Sequence, residues 1–502
     1  MSYLGLDVGT SGCKAVVFGE RGDQLARAYR EYPVRHPQAG WAELDAEQVC
    51  AACKEVVAEA AASVAGDPVQ SLAISSQGEA FLPVDASGRI LGPAMVSSDA
   101  RAASLAESWT ASFGPERLYR LTGHTPHAMH TLFKLLWTRD HRPDIWTAAD
   151  RFLCFEDLLH TQFGLEPHMS WPLAGRTLFF DVTRHAWSPE ILGAIGLEPS
   201  RLAKPLASGT CIGTVARQAA AAWGLPGDVT VVTGGHDQMC SALGAGIVSP
   251  GQAVYATGTT ECITAVFQGP IFSAELRASN LCTYDSTLSG MYGTLAFCLT
   301  GGNILQWFRD QFGAAEYAEA RRTGQNAYEL LLQQVPEEPT RLLVLPYFAP
   351  GGTPYFDMET PGVIHGLRLS TSRGEVLRAL LEGVLLEMRA NTEILARSGV
   401  VIRGFRATGG GARSARWNQL KADILGVPIT TISSTEASCC GAALLAAAAR
   451  SGVPVGRLAE EWVQPRAVFE PDPARHVRYR EQFPRYQRLY QAVRALNGSP
   501  TS

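Results

Sequence analysis

The chain has 502 residues, 46% of them apolar and 18% charged, with a net charge of −5 and a mean hydropathy near zero. That length exceeds one hydrophobic core and predicts two large domains, while the absence of any basic block argues against nucleic acid as a partner. The apolar stretches are broken by charges or glycines too often for a membrane span, and the N-terminus shows no signal-peptide pattern.

In chain order, Tyr3–Asp7 and Cys13–Gly19 read as two strands joined by the turn Val8–Gly12, and a turn at Glu20–Asp23 leads into a third strand. Ala46–Ala65 has the alanine content and apolar spacing of a helix, stopped by Gly66-Asp67-Pro68. Val69–Ser75 reads as a buried strand ending at Ser76-Gln77-Gly78-Glu79. The pattern is helical from Asp99 to Gly123, then over Leu132–Trp137 and Ala149–Gln162, whereas residues 164–210 give no periodic element. The β-branched run from Val229 stops at Gly234-Gly235 and delivers Asp237 to the carboxyl end of a strand, where α/β proteins place reactive groups.

Beyond Asp237 the chain repeats its opening. Asp7–Phe18 matches Ala256–Phe267 without a gap, with Gly, Thr, Cys, Val and Phe in common, so the chain reads as two copies of one α/β unit across a cleft. The copies differ where chemistry would differ: Asp7 becomes Ala256 and Lys14 becomes Ile263. The boundary is placed near residues 245–253, around Ser249-Pro250-Gly251, dividing 1–248 from 249–502. Helices are then predicted over Gly301–Phe312, Arg373–Ser398, Arg413–Leu425 and Gly441–Arg450, and strands over Arg341–Pro346, Gly404–Thr408 and from Pro428 to Ile432.

A glycine turn with hydroxyl side chains aims several backbone N–H groups at one point and so cradles an anion. Beside the turn Asp7–Thr10, the carboxylate of Asp7 suits a divalent metal riding on phosphates; an ordinary hairpin turn is the plainer alternative. Lys14 either reaches a phosphate as a point charge or is solvated. Thr257–Thr260 repeats the pattern without the acid, and Gly409–Gly411, between strand and helix, lets a planar base or ribose approach the backbone. Asp237 alone would read as a helix N-cap. His124, His127 and His130 are spaced by three and read as a partly exposed helix or loop rather than a metal site, and His236 could tune Asp237. The eleven cysteines show no zinc-type pairing, and free thiols in a reducing cytoplasm are the expectation.

This arrangement resembles the FGGY carbohydrate kinases over nearly the whole chain. The resemblance is carried by Asp7–Lys14, Gly40–Asp45, Gly235–Gln238, Gly258-Thr259, Gly302 with Gln306–Asp310, and Gly410–Trp417 with Ala422–Pro428, the last similar to the family's C-terminal signature. It implies an α/β fold of two duplicated actin/hexokinase-like (ribonuclease H-like) ATPase domains facing a central cleft. By the same resemblance Asp237 is the general base for a sugar or polyol hydroxyl that attacks the γ-phosphate of ATP, and Asp7 lies near Mg²⁺. Thr10, Ser11, Lys14, Gly258, Thr259, Gly302, Gly410, Gly411 and Ala412 would lie along ATP, and Gln77, Gly78, Glu79, Asp99 and Gln238 near the acceptor. The assembly is left open, with a homodimer among the expectations.

Within the family, xylulokinases usually carry Met-His where this chain has Gly78-Glu79, and Trp-Asn-Asp where it has Ser97-Ser98-Asp99. Glycerol kinases carry Arg-Glu and, at the catalytic turn, Asp-Gln, so Glu79 and Asp237-Gln238 agree with them while Gly78 does not. Many members also keep an Asp in the stretch matching His168–Ala174, which this chain lacks. Gly78 and Ser97 remove bulk, which predicts a pocket roomy enough for a four- to six-carbon ketose or polyol, a pentulose such as xylulose first. A glycerol- or erythritol-type polyol is the alternative acceptor. Two other classes share the fold: a chaperone or filament protein, which would lack Asp237, and a silent sugar sensor, against which the intact Asp7 and Asp237 argue.

Overall fold

The computed structural model describes residues 1–434 and 436–496. Each half is organised on one mixed sheet, and the two sheets share a strand plan. In the first, Ser2–Val8 runs antiparallel to Gly12–Gly19 and parallel to Val69–Ser76; Gln24–Glu31 lies outside Gly12–Gly19, and Thr230–His236 and Cys211–Thr214 lie on the other side. In the second, Gln252–Thr257 runs antiparallel to Glu261–Gln268 and parallel to Gly404–Thr408. Met291–Cys298 and Tyr284–Asp285 extend one side of it, and Ile429–Ile432 and Pro465–Phe469 the other. The central parallel strands are covered on both faces, so their middles are apolar: Leu4, Leu6, Val8, Leu72, Ala73 and Ile74 are all fully buried.

The sequence repeat is therefore a repeat of two sheet-opening hairpins. Val8 pairs with Cys13 across the first turn and Thr257 with Glu261 across the second. The second turn is one residue shorter, so the ungapped match slips by one beyond it.

Local signals set most helix ends. Asp45 caps Ala46–Ala62 by accepting from Gln48 N, and a capping box of Ser372 and Glu375 starts Arg373–Arg397. The expected helix over Asp99–Gly123 is instead two, Ala103–Phe113 and Pro115–Thr122. They are separated by Gly114 at φ 100 and by a proline that starts a helix but cannot continue one. Within Ala149–Gln162, Arg151–Leu153 is drawn into a strand by pairing with Leu82–Val84, and only Phe155–Gln162 is helical. In the stretch without periodicity, His168–Ser170 pairs with Lys204–Leu206.

Two helices tie the halves together. Asp237–Gly244 follows Thr230–His236, and Ala437–Ser451 follows Ile429–Ile432. They cross at backbone contact: a Cβ on Gly244 would run into the Ala437 carbonyl, and one on Gly441 into the Cys240 carbonyl. Ala437–Ser451 belongs to the second half by sequence yet lies on the first sheet. There a Cβ on Gly5 would strike the Cys439 carbonyl, and Ser71 Oγ donates to Ala446 O at 2.9 Å. No described helix is long and apolar enough to cross a membrane, and all eleven cysteines are unpaired.

Candidate active site

Asp237 is the first residue of its helix, one position inside the N-cap His236. The two glycines before it are required by packing, since a Cβ on Gly234 would run into the Ile74 carbonyl and one on Gly235 would lie 2.9 Å from Thr287 Cγ2. The Asp237 side chain is 29% exposed; its Oδ1 lies 3.2 Å from His236 Nε2 but has no hydrogen-bond partner. Burial first, then the charges of Asp7 and Glu79, push its carboxyl up to about 7. His236, buried and held well below the usual imidazole range by desolvation and by Arg176, is neutral, and its Nδ1 lies 2.9 Å from the Tyr284 hydroxyl.

Asp7, next to last in the first strand, accepts from Ser75 Oγ at 2.7 Å and faces a cleft of about 1020 Å³ also lined by Lys14, Gln238, Gly258, Gly410 and Ala412. A second cavity of about 360 Å³ is lined by Gly258, Thr259, Gly302, Gly410, Gly411 and Trp417. Gly258 and Gly410 belong to both, so the nucleotide positions expected in the second half of the chain form one continuous surface. The loop Gly409–Gly411 continues as a 3₁₀ turn over Gly410–Arg413 before Ser414 caps Ala415–Leu425, two residues later than the expected helix start.

In the first half, protein neighbours already engage several of the expected residues. Lys14 borders the cleft, and its ammonium pairs with Glu436 from the start of the crossing helix. Thr10 and Gln77 are bonded to each other on this turn: Thr10 Oγ1 donates to Gln77 Oε1 at 3.1 Å, and Gln77 Nε2 donates to Gly9 O at 2.9 Å. Ser11 is exposed on the same turn. Asp99 is a buried structural carboxylate: it takes Arg101 through both oxygens and accepts from Ala42 N at 2.7 Å, while Arg101 stacks 3.6 Å over Trp41.

The room expected at Gly78 is filled. A Cβ there would lie 3.0 Å from His236 Nε2 and 3.3 Å from Arg176 Cγ. Arg176, 8% exposed, donates through Nε to Glu79 Oε1 at 2.6 Å and lies 2.9 Å from His124 Nε2. Glu79 itself has a left-handed φ of 66, and the fully buried Lys134 donates to its carbonyl at 3.2 Å and to Met95 O at 3.2 Å. Gln238 lines the cleft, its Oε1 accepting from Thr264 Oγ1 at 3.4 Å.

His124 and His130 are buried, not exposed, and with His127, Arg176 and Phe356 they line a cavity of only about 30 Å³. Burial, then Arg176, pushes His124 down to about 3. No group of three metal-ligating side chains occurs among the described residues.

Residues 2–244 match the model of the FGGY family of carbohydrate kinases, N-terminal domain, and residues 253–450 that of its C-terminal domain. The chain belongs to the FGGY family of carbohydrate kinases. This FGGY kinase is thus a phosphotransferase acting on a sugar, with ATP the substrate the family implies, on the two-domain actin/hexokinase-like fold. It is 27% identical over 506 residues to a xylulose kinase of Bacillus subtilis (strain 168), spanning 99% of this chain and 98% of that protein. A gluconokinase of the same organism is 27% identical over 451 residues, 88% of this chain and 86% of that protein. The structure of a xylulose kinase from Rhodospirillum rubrum superposes with a TM-score of 0.89 at 26% identity, covering 99% of this chain and 100% of that one.

Proposed function

We propose that this FGGY kinase transfers the γ-phosphoryl group of ATP to a hydroxyl of a pentulose, xylulose first. The observation that carries the reading is Asp237: a carboxylate with an unpartnered oxygen, pushed up to about 7, beside the Glu79–Arg176 pair on one side and the nucleotide-lining turns on the other. Relatives named xylulose kinase that span nearly the whole chain support the acceptor. Phosphoryl transfer asks the protein for positioning, charge stabilisation and a place for the proton.

In this reading the Asp237 carboxylate takes the acceptor's hydroxyl proton as the oxygen–phosphorus bond forms and the bond to ADP breaks. Glu79 and Arg176 offer an acceptor and a donor to neighbouring sugar hydroxyls, and Gln238 lies beside Asp237 at the cleft. Gly258, Thr259, Gly410 and Gly411 give the nucleotide close access to the backbone. Asp7, a cleft carboxylate with one oxygen on Ser75, suits Mg²⁺ held through water, which would neutralise phosphate charge. Free thiols fit the reducing cytoplasm, where we place the enzyme.

The test is coupled ADP release across xylulose, ribulose, gluconate, erythritol and glycerol at fixed MgATP. Xylulose should give the highest kcat/KM. Arg176 and His236 occupy the room beside Gly78, so the pocket suits small polyols as well; glycerol or erythritol on top would replace the pentulose reading.

A further inference from the structure

Lys421 lies on Ala415–Leu425, fully buried, and borders neither nucleotide cavity. Its Nζ donates to Thr257 Oγ1 at 2.5 Å, and Thr257 Oγ1 donates in turn to Glu261 Oε2 at 3.0 Å. Glu261 is also fully buried, and its carboxylate faces the Tyr255 hydroxyl. The ammonium sits 4.7 Å from the Tyr255 ring centre and 5.3 Å from that of Trp417. A buried ammonium and carboxylate are costly to desolvate, and well-packed apolar residues of similar volume often stabilise a fold equally well. Stability alone therefore gives no reason for a charged pair here.

Location gives one. Thr257 is the residue on which the loop 409–411 bears: a Cβ on Gly409 would lie 2.5 Å from Thr257 O, and one on Gly411 would run into Thr257 Cγ2. The same turn reaches the third nucleotide element, since Gly302 N donates to Gly258 O at 2.9 Å and Asn303 N to Thr259 O at 3.2 Å. A rotation of Thr257 would disturb all three at once. Its hydroxyl has one donor, Lys421, and one acceptor, Glu261, so the pair fixes both its rotamer and its height above the sheet.

We propose that Lys421 is a positioning residue for the nucleotide: acting through Thr257, it sets the spacing between the turn 257–260 and the loop 409–411. The inference rests on those loops holding ATP, and not on which sugar is phosphorylated.

The test uses Lys421→Met, Thr257→Val and the double variants Lys421→Met/Glu261→Gln and Thr257→Val/Lys421→Met in the whole chain. Three readouts are taken: the KM values for MgATP and for the acceptor, the Kd for ADP by calorimetry, and the thermal midpoint. Lys421→Met should raise the KM for MgATP and the Kd for ADP about tenfold, the scale of one lost hydrogen bond to a charged group, with the acceptor KM within about twofold. It should also lower the midpoint by stranding Glu261. The Lys421→Met/Glu261→Gln variant should recover the midpoint while keeping the weakened nucleotide binding. Thr257→Val should reproduce that weakening, and adding Lys421→Met to it should change little, because both act through one hydroxyl. Recovery of nucleotide affinity together with the midpoint in Lys421→Met/Glu261→Gln would overturn the proposal and leave only a structural ion pair. An equal rise in the acceptor KM would overturn it too. Wild-type protein that binds ADP but prefers another sugar leaves Lys421 under test while refuting the acceptor; wild-type protein that binds no ADP overturns both.

Discussion

Replacing Asp237 by Asn should remove most turnover and, at the same time, make the fold more stable at alkaline pH. A carboxyl raised from 3.8 to about 7 is one whose ionised form the folded protein disfavours. Between those values the native state binds more protons than the unfolded chain, so stability falls as pH rises through the window and levels off above about 7. A shift of roughly three pH units corresponds to at most about 4 kcal/mol. The side chain is 29% exposed to the cleft, so water screens the charge, and about 1–3 kcal/mol is the working figure. Against this, Asn gives up at most about 1 kcal/mol of favourable interaction between a negative charge and the helix N-terminus. The variant should therefore melt a few degrees above the wild type at pH 8, with the gap closing as pH falls toward 4. Turnover should drop by roughly 10²–10⁴-fold, the contribution of a positioned base. Thermal unfolding of both proteins at pH 8, 6 and 5, without ligands, together with steady-state rates, makes the measurement. A melting difference that is absent at pH 8, or that does not shrink on acidification, would refute the account of Asp237's environment. A variant keeping more than about a tenth of wild-type kcat would refute its role as base.

Arg176→Met strands the buried Glu79 carboxylate and should cost about 3–5 kcal/mol in denaturant unfolding. It should raise the acceptor KM with the ATP KM unchanged; an unmoved acceptor KM would remove Arg176 from the sugar site. Gly411→Ala should raise the ATP KM at least tenfold because its Cβ runs into Thr257; an unchanged ATP KM would mean the loop does not rest on Thr257 as described. Asp7→Ala should raise the Mg²⁺ concentration for half-maximal rate with acceptor binding little changed, and an unchanged titration would take Asp7 out of the metal's reach.

The parts of the site legible in the sequence are those whose chemistry is local. Glycine turns at 9, 258 and 409–411 and a carboxylate closing an apolar strand are consecutive residues, and the duplication exposed the shared strand plan. What stayed hidden depends on partners far apart in the chain. Arg176 meets Glu79 across 97 residues, and Glu436 reaches Lys14 across 422, with no motif linking either pair. Asp99 was misread for a different reason: a carboxylate two residues before an arginine looks the same whether it serves a ligand or, as here, is fully occupied by Arg101 and Ala42 N. The glycine at 78 showed only that a side chain was missing, and not that Arg176 and His236 fill its space. The helix Ala437–Ser451 looked like a member of its own half because nothing in an alanine-rich segment says which sheet it covers.

The crossing of Asp237–Gly244 with Ala437–Ser451 has a mechanical consequence. At that point the halves approach as closely as two backbones can, because Gly244 and Gly441 leave no side chain between them. A swing of one half against the other would turn about an axis through this crossing and the other backbone contact between them, where Thr283 N donates to Gly123 O at 2.8 Å. Displacement grows with distance from a fulcrum, so parts of the cleft far from the crossing sweep the longest arcs. Asp237 stands at the head of one crossing helix and Glu436, with Lys14 in its grip, at the head of the other. The proton acceptor thus sits on a short lever arm, and a cleft of this shape could open to admit and release nucleotide while hardly moving the group that must meet the sugar hydroxyl.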